Sequence, residues 1–236
     1  MNSIYDNGEY LKRNHDWHQS DSLWKAIQIK KIIKRNNLKL SSISEIGCGA
    51  GEILKQLQVK FKDVKFYGYE ISNDAFNICK SKENEKLKFF NKDLLNENKH
   101  FDCILCIDVF EHVENYIGFL KNLHSYSKYK IFHIPLDLSV SSIIRNKLVY
   151  TRKQVGHLHY FTANTAIETL KDSGYEIIDQ MYTPSFVCSS SKSWKSMIVN
   201  IPRHFLYFIS PKLLSIFIGG ASLMVLAKKN EDLTFK

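Results

Sequence analysis

The stretch "EIGCGAGE", residues 45–52, decides how this chain is read. It follows "SSIS", the start of a short strand-like run, and leads into "ILKQL", which has the look of a helix. Glycines at 47, 49 and 51, between a strand and a helix, let the backbone turn tightly and approach a ligand closely. A dinucleotide fingerprint, G-x-G-x-x-G, would need glycine at 52. Glu52 stands there instead and puts a carboxylate at the helix N-terminus, where a pyrophosphate would sit. The G-x-G-x-G spacing therefore argues against NAD.

Outward from this turn, strands and helices alternate. "VKFYGYEIS" (64–72), "KLKFFNKDLL" (86–95), "FDCILCIDVF" (101–110), "YKIFHIPLD" (129–137), "YEIIDQMYT" (175–183) and "SLMVLAKK" (222–229) read as strands. "SDSLWKAIQIKKIIKRNN" (20–37), "NDAFNICKSK" (73–82), "ENYIGFLKNLHSYSK" (114–128) and "TANTAIETLKDSG" (162–174) read as helices. Thr162 is a cap-type residue at the start of the last, and Gly174 stands just past its end. This alternation predicts an α/β, Rossmann-like seven-stranded sheet with helices on both faces, and a final β-hairpin strand at its edge.

Three acids fall at the carboxyl ends of successive strands, the edge where open α/β sheets bind ligands. Glu70 comes about twenty residues after the glycine turn, where an acid can accept ribose hydroxyls. Asp93 ends the third strand and Asp108 the fourth. The pair Cys103 and Cys106, "CILC", could suggest redox or metal chemistry. Both lie inside a buried strand, where i and i+3 face opposite sides, so they read as core.

These motifs ("EIGCGAGE", "YGYEIS", "NKDLL", "CIDVFEHVENYIGFL" and "GHLHYFT") resemble those of the class I S-adenosylmethionine-dependent methyltransferases, of the small-molecule type. The resemblance covers roughly residues 40–183 and the last strand. It implies S-adenosyl-L-methionine as cofactor and transfer of a methyl group to a hydroxyl or amine of a small or carrier-linked acceptor, such as a sugar or secondary metabolite. It also implies roles. Gly47, Gly49 and Gly51 would border the methionine part of the cofactor, with Glu45, Cys48 and Val109 beside them. Glu70 would hold the ribose hydroxyls, with Ile71 next to it. Asp93 and Leu94 would contact adenine, and Asp108 would lie near the methionine moiety. The alternative is a non-catalytic module of the same fold, associated with a membrane.

Methyl transfer asks the protein to align a nucleophile and, for a hydroxyl, to take a proton. Histidine titrates nearest neutral pH. His112 follows the fourth strand, and His157 and His159 follow the fifth. In an extended backbone residues i and i+2 point the same way, so this pair reads as a wall of the acceptor pocket. One of them is expected to act as base or substrate orienter, with His157 favoured because it follows Gly156. The plainer reading has His159 packed and bonded to a backbone carbonyl. Asp108, Glu111 and His112 share a face at helical spacing and are similar to an E-x-x-E-H arrangement in quinone-pathway methyltransferases, where it is associated with a divalent ion. With aspartate in first position, the expectation is no metal.

The 236 residues carry a net charge of +9, and no zinc-finger spacing, basic zipper or aromatic RNA-binding signature accompanies it, so a nucleic-acid partner is not favoured. Five scattered cysteines and a polar start, Met1 to Arg13, predict a reduced, cytoplasmic protein. Residues 1–39 read as an N-terminal helical cap. Its Tyr5, Tyr10, Trp17 and Trp24 read as packing residues, and its His15 and His18 carry little functional weight. Residues 40–236 read as the catalytic domain, with insertions at 138–161 and 184–221 forming a substrate lid. The second insertion mixes Lys192, Lys195, Arg203 and Lys212 with aromatic and aliphatic residues such as Trp194, Phe205 and Phe208. A lid is the expectation. Peripheral contact with the inner membrane face through 192–217 is the alternative, because no apolar run reaches the ~20 residues that span a bilayer.

Overall fold

The computed structural model describes residues 19–188 and 194–232. Tyr5, Tyr10, His15, Trp17, His18 and Lys192 lie outside the described residues, as do the side chains of Trp194 and Lys195. Seven strands form one sheet: β1 (Ser42–Ile46), β2 (Lys65–Tyr69), β3 (Leu87–Phe90), β4 (Phe101–Ile107), β5 (Ser127–Pro135), β6 (Tyr175–Thr183) and β7 (Ser222–Lys229), in the order β3-β2-β1-β4-β5-β7-β6. β1 to β5 pair in parallel, and β7 runs antiparallel to both β5 and β6.

Burial explains this order. Every residue of β4 except Asp102 is buried, as a strand covered on both faces requires. β7, "SLMVLAKK", is buried through its first six residues and lies inside the sheet. β6 is buried only at its two ends and forms the edge. The last two strands do pair antiparallel at one end of the sheet, but β6 is outermost and β7 slips in beside β5.

Alternate side chains of each strand feed two cores. From β4, Cys103, Leu105 and Ile107 enter one, and Ile104 and Cys106 the other. From β7, Met224 and Leu226 enter the first, and Leu223, Val225 and Ala227 the second. The two cysteines of "CILC" are thus core residues on opposite faces. Helix α1 (Gln19–Arg35), α2 (Glu52–Lys60) and α3 (Asn73–Lys80) cover the first face. Helix α4 (Tyr116–Asn122) covers the second.

The region 138–161 folds as two helices, α5 (Val140–Ile144) and α6 (Lys147–Val155), broken at Asn146 in the left-handed conformation. Helix α7 (Ala163–Asp172) then packs beneath the second face; Thr162 caps it with its side chain, and Gly174 follows it at φ +87°. Between β6 and β7 stand α8 (Trp194–Ile209) and α9 (Pro211–Phe217), where a hairpin would need only a short turn. Among the described residues no helix is long and apolar enough to cross a membrane.

Helix α1 belongs to the core. Ala26, Ile29 and Ile32 are fully buried and Ile33 nearly so. Each buried isoleucine stabilises by about 1.5–3 kcal/mol, which outweighs the half-exposed Arg35–Asp179 pair that ties α1 to β6, a contact worth about 0–1 kcal/mol.

Candidate active site

A cavity of about 650 Å³ opens at the carboxyl ends of β1, β2, β4 and β5, within the ~300–1,000 Å³ usual for small-molecule sites. The glycine turn forms one wall. Gly51 precedes α2 at φ +73°, and a Cβ there would lie 2.5 Å from the Phe89 ring, so no other residue fits. Gly49 also has positive φ, but a Cβ there would meet nothing within 4 Å. Its missing side chain leaves open space at the cavity wall.

Glu70 follows β2 and is 7% exposed. Its carboxylate accepts hydrogen bonds from the backbone N–H groups of Gly49 and Ser72, each at 2.8 Å. The acid about twenty residues downstream therefore clamps the glycine turn, and each oxygen keeps a further lone pair for a ligand hydroxyl. Burial raises the Glu70 carboxyl above its ordinary value, against these two bonds. Glu45, in β1, also reaches the cavity. It is 2% exposed, its Oε2 has no hydrogen-bond partner, and burial raises it well above the usual range. Glu52 at the start of α2 pairs with Lys82 at 2.9 Å. Cys48, Ile71 and Val109 line the cavity as well.

Asp93 and Leu94 do not line it. Asp93 accepts from the Leu95 N–H at 2.9 Å and caps the 3-10 turn Leu94–Asn96. Leu94 is fully buried in the second core.

Asp108 stands just past β4 at φ +54°, a conformation that non-glycine residues seldom adopt and that clusters at functional sites. Two partners hold it: Lys25 Nζ from α1 at 2.8 Å and His133 Nδ1 from β5 at 2.6 Å. Burial disfavours the Asp108 charge, but His133 and Lys25 outweigh burial and hold the carboxylate far below its usual range. Burial likewise opposes the Lys25 ammonium, and Asp108 raises it above the usual lysine value. His133 Nε2 is 3.0 Å from the Thr183 hydroxyl, so one chain of contacts joins α1, β4, β5 and β6.

The two histidines of "GHLHYFT" part company. Residues 157–161 form neither strand nor helix, so the extended-strand rule does not govern them. Gly156 ends α6 at φ +82°, and the N–H groups of Leu158 and His159 both bond the Glu111 carbonyl, at 2.8 and 3.1 Å. His157 lines the cavity, with Nδ1 2.5 Å from Asp137 Oδ2. Its ring meets that of His112 edge to face at 4.8 Å between centroids, and His112 lines the cavity too. Burial and His157 push the His112 imidazole down to about 4. His159 lies off the cavity. Its Nε2 bonds the Val113 carbonyl at 3.0 Å and its ring packs on Tyr116.

Asp108, Glu111 and His112 do not converge, because Asp108 is taken by Lys25 and His133. Glu111, His112 and His157 instead offer ligand atoms within 4.8 Å of one another, and these three could hold a metal ion. Glu111 is 1% exposed, and neither carboxylate oxygen has a hydrogen-bond partner. Burial, and then Asp108, raise its carboxyl well above the usual range.

The residues that sequence reasoning missed are Lys25, His133, Asp137 and Thr183. Asp137 carried a signal: "IPLD" puts an acid just past the end of β5, at the same sheet edge as the other acids. Lys25 and Thr183 carried none, because only the packing of α1 and the edge strand brings them near.

Comparison with known proteins is consistent with this geometry. The profile of a family described as "Methyltransferase domain" matches residues 17–180. Among curated proteins, the ubiquinone biosynthesis O-methyltransferase of Rickettsia canadensis is 28% identical over 157 residues, covering 60% of this chain and 64% of the relative. That of Rickettsia conorii is 30% identical over 119 residues, covering 49% and 39%. The chain thus spans less than two thirds of the length of these two relatives. Among solved structures, magnesium protoporphyrin IX methyltransferase from Synechocystis PCC 6803 with bound SAH superposes with a TM-score of 0.59 at 15% identity, over 88% of this chain and 83% of the other. A cyclopropane synthase from Mycobacterium tuberculosis gives 0.60 at 15% identity, over 86% and 84%. The chain belongs to the methyltransferase-domain family and has the fold of the class I S-adenosylmethionine-dependent methyltransferases.

Proposed function

We propose that this protein transfers a methyl group from S-adenosyl-L-methionine to a hydroxyl of a small or carrier-linked acceptor. The observation that carries the reading is the charge of the cavity. In a chain of net charge +9, the cavity is lined by six carboxyl side chains (Asp21, Glu45, Glu52, Glu70, Asp108 and Asp137) and two lysines, Lys25 and Lys147. Such a wall suits a cofactor bearing a sulfonium and an ammonium and repels a dinucleotide pyrophosphate.

The donor set fits. Glu70 has lone pairs left for the ribose hydroxyls, and the open space at Gly49 admits close approach of the methionine part. Asp108 supplies an acceptor and negative charge at that end, and Glu45 an unpartnered carboxyl oxygen. Ile71, 68% exposed at the cavity wall, offers an apolar face for the adenine. Asp93 and Leu94 serve here by shaping the turn behind it.

When bound, the cofactor supplies an electrophilic methyl, and the protein aligns the acceptor and removes its proton. His157 is the base in this reading. Asp137 can only accept the Nδ1 proton, which leaves Nε2 as the basic nitrogen. His112, neutral at pH 7 with its imidazole near 4, packs against the His157 ring and orients it. His159 fixes the loop. A hydroxyl acceptor agrees with the O-methyltransferase naming of the Rickettsia relatives, and Tyr150, Val113, Val155 and Pro135 give the cavity an apolar side. The test is incubation with isotopically labelled S-adenosylmethionine and a metabolite and lipid extract. A labelled product is expected from the wild type and not from His157→Ala. No product from the wild type under any extract would favour a non-catalytic module.

A second reading keeps the cofactor wall but replaces the His157 base with a divalent cation held by Glu111, His112 and His157. The unpartnered, buried Glu111 carboxylate favours it. The ion would act as a Lewis acid on the acceptor oxygen. Calorimetry with Zn²⁺ and with Mg²⁺ tests it. Stoichiometric binding that is lost in Glu111→Gln is expected; no binding of either ion sinks the reading.

A further inference from the structure

The exposed side of the two inserted regions is apolar and basic in one continuous layer. Helix α9 packs against both α8 and α5, and α5 against α6. On α8, Ile201, Phe205 and Phe208 recur at helical spacing and are 68%, 67% and 90% exposed. Ile209, Phe217 on α9 and Ile144 on α5 are exposed as well. Large apolar side chains left bare in such number mark an interaction surface.

Charge identifies the occupant. Segments 138–167 and 180–230 contain no aspartate or glutamate, in a chain with 24 acidic residues. They do contain Arg145, Lys147, Arg152, Lys153, Arg203 and Lys212. A second copy docking face to face would set this basic surface against itself. A bilayer with anionic headgroups supplies the missing negative charge and takes the apolar side chains to the acyl boundary.

We propose that α5, α6, α8 and α9 form a peripheral docking surface for an anionic lipid bilayer, with Phe205, Phe208 and Ile144 inserted and Arg145 and Lys212 at the headgroups. The contact lies on the surface of the membrane and does not span it. Helix α6 belongs to both features: Tyr150 is 61% exposed yet also lines the cavity. Docking therefore brings the cavity mouth to the membrane boundary, where an acceptor with an apolar tail can enter. That consequence rests on the methyl-transfer reading; the lipid contact does not.

The experiment is co-sedimentation of the full chain with phosphatidylcholine vesicles and with vesicles containing phosphatidylglycerol, run beside analytical ultracentrifugation and calorimetry with S-adenosylhomocysteine. Binding to the anionic vesicles alone is expected, weakened about tenfold or more in Phe205→Ser/Phe208→Ser and by raised salt in the wild type. The Arg145→Gln/Lys212→Gln variant is expected to bind more weakly at low salt and to be less salt-sensitive. Unchanged cofactor affinity in both variants shows that they fold. The proposal is overturned by absence of vesicle binding at low salt, by binding that both variants retain in full, or by a dimer that the phenylalanine variant dissociates. Vesicle binding without cofactor binding would sustain the docking surface and sink the methyl-transfer reading.

Discussion

Two carboxylates decide the residue scale, Glu70 and Asp137. Glu70 was legible because strand, turn and spacing fix where an acid after β2 must stand. Its double bond to the Gly49 and Ser72 amides was not, because it depends on how the turn closes. Asp137, in "IPLD", was legible in the same way, since it stands just past β5 as Asp108 stands just past β4. The histidine pair shows the limit of a periodicity rule. Two residues apart implies one side only in an extended strand, and residues 157–161 are not a strand. The prediction at this scale concerns the dyad. Asp137→Asn and His157→Ala should each lower kcat by ~10²–10⁴-fold, the usual worth of a general base, with cofactor affinity unchanged. His159→Ala should cost stability more than turnover. A kcat unaffected in both dyad variants would return His157 to packing.

Elements carry the next scale. The pattern of seven strands and their alternation with helices was readable from apolar runs and glycine turns. The order of the last two strands was not: the final strand was expected at the edge, but β7 is buried through six residues and lies inside, and half-exposed β6 takes the edge. What could not be read is that α1 enters the site. Its isoleucine stripe shows a buried face but not which sheet face receives it, so Lys25 had no visible partner. The Lys25–Asp108 contact gives this element a pH signature. Asp108 has a folded-state pKa below its unfolded value, near 3.9. Its contribution is present above that value and is lost as the pH falls below about 4. Lys25→Met should therefore destabilise the protein at pH 7 by about 3 kcal/mol, the lower end for removing one partner of a buried pair, because His133 still faces the carboxylate. It should also flatten the loss of stability below pH 4. Denaturant unfolding at pH 7 and pH 3 measures both. A change under about 0.5 kcal/mol at pH 7, the usual scale of an ordinary surface substitution, would show that α1 is held by its isoleucines alone.

Across the whole molecule, charge is sorted. Carboxyl groups gather at the cavity, and the acid-free segments gather on α5, α6, α8 and α9. The sum of +9 conceals both, which is why net charge could exclude no partner except through missing motifs. The insertions were visible as surplus length between strands. Their shared surface was not, since it depends on α9 meeting α5. The fold of the parallel half follows from local pattern, and the functional surfaces follow from packing between segments distant in sequence.

The central claim is that this sheet edge binds S-adenosylmethionine through the clamp that Glu70 makes on the glycine turn. Isothermal calorimetry with S-adenosylhomocysteine tests it most directly. The wild type should bind one equivalent. Glu70→Ala should bind about 10- to 100-fold more weakly, as loss of a charge-assisted hydrogen bond to a hydroxyl predicts. No binding by the wild type, or equal affinity in a folded Glu70→Ala protein, would contradict the account.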